Sequence, residues 1–227
     1  MSVALEVLFE DNHLLVVHKP ACLPTVPDAS GDESLLERAK AWIKERHAKP
    51  GDVFLGVVQR LDRPVSGVLV FARTSKAAAR LSEILRERQA EKIYVAVGEG
   101  MARSDSGELE QWLVKDERTN RVESFARERA GALHALTRWR VLARADNRTL
   151  YEFAPATGRP HQLRLAAVAL GTPLVGDLKY GASAPLADKS IALHARSLAF
   201  EHPVRGELVR FEASWPTLSI WDLARRA

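Results

Sequence analysis

Along the chain, short apolar runs bounded by Gly, Pro, Asp and Ser outnumber stretches with helical spacing. Runs at about 5–9, 13–18, 54–58, 68–73, 91–98, 132–143, 148–155, 192–200 and 208–213 read as strands. Three segments carry a helical pattern instead: 33–47 (ESLLERAKAWIKERH), 75–89 (SKAAARLSEILRERQ) and 160–170 (PHQLRLAAVAL). In the second, Ala78, Leu81, Ile84 and Leu85 recur at helical spacing among Arg and Glu, and Thr74 or Ser75 can cap the start. The third has Pro160 in its first turn and Gly171 just past its end, the usual asymmetry of helix start and stop. A further short helix is expected after Pro216. Strands and helices do not alternate regularly, which argues against a doubly wound parallel sheet. The expectation is an α+β fold with a central, mainly antiparallel sheet flanked by helices. No repeat, low-complexity tract or long Pro/Gly/Ser linker divides the sequence, so residues 1–227 read as a single domain.

Composition narrows the class. The chain of 227 residues is 46% hydrophobic and 27% charged, ordinary for a globular protein able to bury a sizeable core. No apolar run approaches the ~20 residues of a membrane span, and the start, MSVALEVLFED, shows no signal-peptide pattern. Cys22 is the only cysteine, so an internal disulfide and a cysteine-rich zinc site are excluded. A cytoplasmic protein is expected.

The net charge of +4 is modest, but 24 Arg stand against 9 Lys. Arginine's planar fork suits phosphate and stacks on bases, although an Arg bias of the source organism explains the count equally well. Residues 1–52 carry a net −3 and residues 53–103 a net +4. The basic excess therefore coincides with QRLDRPVSG, residues 59–67, as an electrostatic footprint for nucleic acid requires.

In QRLDRPVSG, Asp62 stands between Arg60 and Arg63 in a turn-prone segment between two apolar runs, FLGVV and GVLVF. Pro64 holds Arg63 extended, and Ser66-Gly67 favours a tight turn. A carboxylate on such a loop can act on a substrate or can belong to a surface ion-pair cluster worth ~0–1 kcal/mol per pair. Charge pattern alone leans to the ion pair. A second stretch, TGRPHQLR at 157–164, brings Arg159, His161, Gln162 and Arg164 to the start of a helix, where exposed N–H groups attract anions; His161 can equally be an end-packing residue. In EKIYVAVGEG, Lys92 and Tyr94 share one strand face, a pattern also found in core strands. VGDLKYG, residues 175–181, is a Gly-bounded turn with Asp177, Lys179 and Tyr180 that a structural role explains. GxxxxGK[ST], strand–GxGxxG–helix, HExxH, HxxxH and GxSxG patterns are all absent, so no nucleotide cradle, metal site or serine nucleophile is expected.

Taken in order, QRLDRPVSGVLVFART, EKIYVAVGEG and TGRPHQLRLAAVALGTPLVGDLKYG resemble the RluA-type family of RNA pseudouridine synthases, and LEVLFEDNHLLVVHKPACLP resembles that family's first motif. The similarity runs from about residue 5 to about residue 215. It implies the pseudouridine synthase fold with a catalytic cleft across the sheet, and isomerisation of uridine in structured RNA, tRNA or large-subunit rRNA, without cofactor or metal. By motif position Asp62 is then the catalytic aspartate, Tyr94 lies against the target base and helps remove its C5 proton, and Arg164 pairs with Asp62. Leu163 packs on the base, and Arg60 enters the helix stack when the uridine is flipped out. Arg63, His161, Gln162, Lys19 and Lys179 are further candidates for RNA contact.

The chemistry of a reactive carboxylate agrees with such roles. It must stay ionised in a desolvated pocket where burial raises its pKa. A guanidinium at ~4 Å favours the charged form by ~4 kcal/mol at an effective dielectric near 20. Extruding a base costs a few kcal/mol, which stacking and an inserted side chain offset. Three departures stand out: Gln59 where the family has His, Cys22 where it has Gly, and Pro160 where Thr or Ser is common. Catalytic motifs begin at once, so no N-terminal S4 RNA-binding domain is expected and the chain should act as a monomer. A catalytically silent RNA-binding protein using the same cleft is the competing reading. A glycosidase-like pairing of Asp62 with Asp177 is weaker, for want of an aromatic sugar platform.

Overall fold

A computed structural model describes residues 4–225. In chain order the elements are β1 (Glu6–Glu10), β2 (Leu14–Lys19), α1 (Leu35–Arg46), β3 (Gly56–Val57), β4 (Ser66–Ala72), α2 (Ser75–Arg86), β5 (Glu91–Glu99), β6 (Ser106–Asp116), β7 (Arg121–Phe125), β8 (Leu133–Ala145), β9 (Arg148–Pro155), α3 (Gln162–Ala169), β10 (Leu193–Glu201) and β11 (Leu208–Glu212). Short 3-10 turns cover Leu178–Tyr180 and Ser219–Arg225. Eleven strands against three α-helices is the α+β composition expected from the pattern. The chain divides into two compact units. One comprises the residues up to Lys92 with Ala195–Ser214; the other comprises Ile93–His194 and the segment from Trp215.

In the first unit β1 pairs with β2, β2 and β3 pair with β4, and β11 pairs with β10, all antiparallel. Its core joins Leu14, Val16, Val68, Val70, Leu81, Leu198 and Phe200. Every residue of β4 is buried, which explains why SGVLVFA reads as a continuous apolar run and not an alternating one. Ser34 starts α1 with a capping box: its hydroxyl accepts from the Glu37 amide while the Glu37 carboxylate accepts from the Ser34 amide. Thr74 caps α2 by accepting from the Ala77 amide.

In the second unit β5, β9, β8, β6 and β7 follow one another in an antiparallel meander of pairings. Val95, Val97 and Leu150 pack with Val175, Ala192, Ile220 and Trp221 on one side. A smaller cluster of Leu113, Val122 and Ala135 receives Leu165 of α3 and Tyr180.

Strands β6 and β7 are absent from the sequence expectations. Their alternation is present in GELEQWLV, but charge masks it. Glu108 and Glu110 face solvent and ion-pair with Arg138 and His134 of the neighbouring strand. The third helix also starts later than expected. Pro160 stands before the N-cap, His161, whose φ of 53° is left-handed. The element expected after Pro216 forms as a 3-10 turn.

Candidate functional site

Asp62 lies on the loop between β3 and β4, and the backbone around it is held at Leu61, Asp62 and Arg63. Leu61 is pinned at both polar groups by Thr25: the Thr25 hydroxyl donates to the Leu61 carbonyl at 2.9 Å and accepts from its amide at 3.2 Å. The Asp62 carbonyl accepts from the Val65 amide at 3.0 Å, closing the turn. Gly67 ends it with φ +124°, and a Cβ there would lie 2.2 Å from the Ala195 carbonyl oxygen. Asp62 and Arg63 themselves are half-buried and Arg60 is exposed.

Lys19 supplies the remaining clamp. It is 0% exposed, and its Nζ donates to the carbonyls of Pro20 at 3.0 Å, Leu23 at 2.7 Å and Arg63 at 3.1 Å. All three donors of the ammonium are thus directed to backbone. Burial pushes the Lys19 pKa down to about 7; the charges of Cys22 and Asp62 act against the fall and that of Arg63 with it. Lys19 is therefore a brace between the VHKPACLP turn and the Asp62 loop. The φ of +63° at Cys22 explains why glycine suits this turn: a side chain here sits in the left-handed region, yet remains exposed.

In the second unit, Tyr94 stands opposite Phe153 in the β5–β9 register, with Ala96 opposite Tyr151. Val95 and Val97 fill the core on the other face, so Tyr94 shares its face with Tyr151 and Phe153, whose rings stack at 5.2 Å. The hydroxyl of the deeply buried Tyr151 is tied to Thr172 at 2.7 Å, an anchor for the face on which Tyr94 stands half-buried.

Arg164, in the first turn of α3, is 6% exposed and Asp177 1%. Their side chains form a two-pronged pair: Nε donates to Oδ2 and Nη2 to Oδ1, each at 2.7 Å. The Tyr180 ring lies 4.8 Å from the guanidinium carbon. Asp177 as a partner of Arg164 went unseen in the sequence, where VGDLKYG looked like a turn and Asp62 was the expected counter-ion. The Gly-bounded turn with an acid followed by an aromatic was the available signal. Tyr180 also accepts from the Val122 amide at 2.9 Å and lies 2.6 Å from His161 Nδ1. Burial and the Asp177 charge push the Tyr180 phenol up, against the opposing effects of the Val122 amide, Arg164 and Arg121.

Among the other expected contact residues, Gln162 is spent internally. Its amide donates to the Leu136 carbonyl and the Thr137 hydroxyl, and its oxygen accepts from Thr157 and the Arg159 amide. It shapes the TGRP loop. Leu163 is 7% exposed. Lys179 is half-buried and donates to the Asn120 carbonyl, while Arg121 returns a bond to the Lys179 carbonyl at 2.7 Å. Arg63 pairs with Asp32 at 2.5 Å and more loosely with Asp28. Among the described residues no group of three or more His, Cys, Asp or Glu converges as a metal shell would, and no helix is long and apolar enough to cross a membrane.

A clamped loop carries Asp62, an aromatic strand face carries Tyr94, and a buried ion pair at a helix start holds Arg164. Residues 13–169 match the RNA pseudouridylate synthase family, and the chain belongs to that family, whose members are isomerases. It is 35% identical over 214 residues to the dual-specificity RNA pseudouridine synthase RluA of Haemophilus influenzae, covering 92% of both chains. It is 33% identical to the ribosomal large subunit pseudouridine synthase C of the same organism, over 92% of this chain and 65% of that one. Among solved structures, human RNA pseudouridylate synthase domain containing 4 superposes with a TM-score of 0.79 at 25% identity, covering 97% of this chain and 92% of the other.

Proposed function

We propose that this chain converts specific uridines of structured RNA, in tRNA or large-subunit rRNA stem-loops, to pseudouridine, with Asp62 as the reacting carboxylate. The N1–C1′ glycosidic bond breaks and a C5–C1′ bond replaces it, so substrate and product are isomers and no external reactant enters. Asp62 attacks the sugar or promotes its rearrangement while the base detaches. Tyr94 lies against the base and takes part in removing the C5 proton. Arg164 keeps the carboxylate ionised, and Arg60 fills the helix stack when the uridine is flipped out.

The observation that carries this reading is the bracing of the Asp62 loop. Thr25 and Lys19 spend buried hydrogen bonds on the backbone either side of the carboxylate, a fixation that an incidental surface ion pair would not need. The relatives support the RNA: one is named a dual-specificity synthase and another a large-subunit synthase. Action as a monomer in the cytoplasm completes the proposal. The test maps carbodiimide-reactive pseudouridines in total RNA with and without the gene, then assays Asp62→Asn on the RNA so identified. Loss of at least ~10³-fold in kcat/KM with the fold intact is the expected outcome. Unchanged pseudouridine in the deletion strain would instead favour a silent RNA-binding protein. Full activity of Asp62→Asn would remove the mechanism.

A further inference from the structure

We propose that Asp177 is a positioning residue for Arg164: it sets the plane and heading of the guanidinium, and so the rate of the isomerisation, without touching the RNA. This rests on the assignment of Arg164 to the reaction. A guanidinium has three nitrogens, and the Asp177 carboxylate takes two of them, Nε and Nη2, at 2.7 Å each. Two parallel bonds abolish rotation about the Cζ–Nε bond, so the third nitrogen can point only one way. The Tyr180 ring at 4.8 Å restricts tilting of the same plane.

Asp177 can do this because its own loop has no freedom to follow a moving arginine. Gly176 has φ +85°, and a Cβ there would lie 2.6 Å from the Ser190 carbonyl oxygen; Gly181 at the far end has φ +102°. The Asp177 amide donates to the Leu174 carbonyl at 3.0 Å. Just upstream, the Val175 amide donates to the Val97 carbonyl, and its carbonyl accepts from the Ala192 amide, each at 2.9 Å. Val97 lies on β5, three residues beyond Tyr94. The carboxylate is therefore registered to the strand that carries the tyrosine, and through it the arginine of α3 is registered to that strand as well.

Energetics point the same way. Taking both charges out of water costs more than a well-packed apolar pair of the same size would, so a pair at 6% and 1% exposure is weak as a stability device. Fixing a direction is the use that its two-pronged geometry serves.

The experiment measures kcat and KM on the RNA identified above for Asp177→Asn, Arg164→Lys and the double variant, with thermal unfolding of each. Asp177→Asn should lower kcat about 10²-fold while KM changes by less than about twofold. In the Arg164→Lys background the same change should cost less than about threefold, since a residue acting through Arg164 has nothing left to act on. A kcat for folded Asp177→Asn within twofold of wild type overturns the proposal, as do costs that simply multiply in the double variant. Full activity of Arg164→Lys would remove the role of Arg164 itself and with it this inference; an impaired Arg164→Lys beside a silent Asp177→Asn removes only the role of Asp177. Should Asp177→Asn fail to fold, side-chain NMR of the wild type decides. Arg164 is expected to show separate Nη signals from arrested rotation, and a single averaged signal would overturn the proposal.

Discussion

The Asp62 loop and the Arg164 cluster solve opposite problems. Around Asp62 the grip is on backbone: Thr25 on Leu61, Lys19 on Arg63, the Val65 amide on Asp62 itself. Around Arg164 it is on the side chain, through a carboxylate, an aromatic face and a network that continues from Tyr180 to His161. For the carboxylate proposed to react, a grip on the main chain fixes the loop that carries it. A group that only has to hold charge in place is best held by its head.

Three substitutions probe that contrast. The largest effect is expected from Gly67→Ala. Its φ of +124° and a Cβ 2.2 Å from the Ala195 carbonyl oxygen require backbone movement in the Asp62 loop, costing on the order of 3 kcal/mol or more. Urea unfolding measures it, and a loss below ~1 kcal/mol would mean that the loop is not tightly held.

Lys19→Met should follow, at about 2–4 kcal/mol, because it strands three carbonyls. It also carries a pH signature. Burial lowers the Lys19 pKa from 10.5 to about 7, so between those values the unfolded chain holds a proton that the folded chain has released. Stability contributed here therefore rises with pH from about 7 to about 10, by on the order of 1 kcal/mol per unit. The wild-type slope should be missing in Lys19→Met. Parallel curves for the two proteins would show that the ammonium stays charged in its cage.

The smallest effect on stability belongs to Arg63→Gln. Its partners Asp28 and Asp32 are well exposed, and such pairs contribute ~1 kcal/mol or less. If Arg63 meets RNA as proposed, KM should rise by a salt-dependent factor while kcat holds. A drop in kcat with KM unchanged would place Arg63 with the loop clamp instead.

Much of this arrangement could be read before the fold was known. Nine of the eleven strands and the three helices follow from periodicity, while Asp62, Tyr94 and Arg164 are proposed as the reacting set from ordered motifs. What escaped did so for physical reasons. Glu108 and Glu110 made β6 look like a charged loop, because their partners Arg138 and His134 lie on another strand. Lys19 and Gln162 were expected at the RNA from their places in the VHKPACLP and TGRPHQLR motifs. Their burial depends on backbone carbonyls brought in from elsewhere in the chain, which no local pattern shows. Asp177 escaped because its partner lies beyond a helix and a turn.

The clamp on the Asp62 loop also has a consequence for how the protein forms. The Lys19–Arg63 tie spans 44 positions in the chain, whereas the Arg164–Asp177 pair spans 13. Loop-closure entropy makes the longer tie costlier by about 1 kcal/mol. A growing or refolding chain meets that cost at the segment bearing Asp62, so the support of Arg164 is the easier to close and that of the Asp62 loop the harder. Of the two supports, the one under the carboxylate proposed to react therefore closes the longer loop.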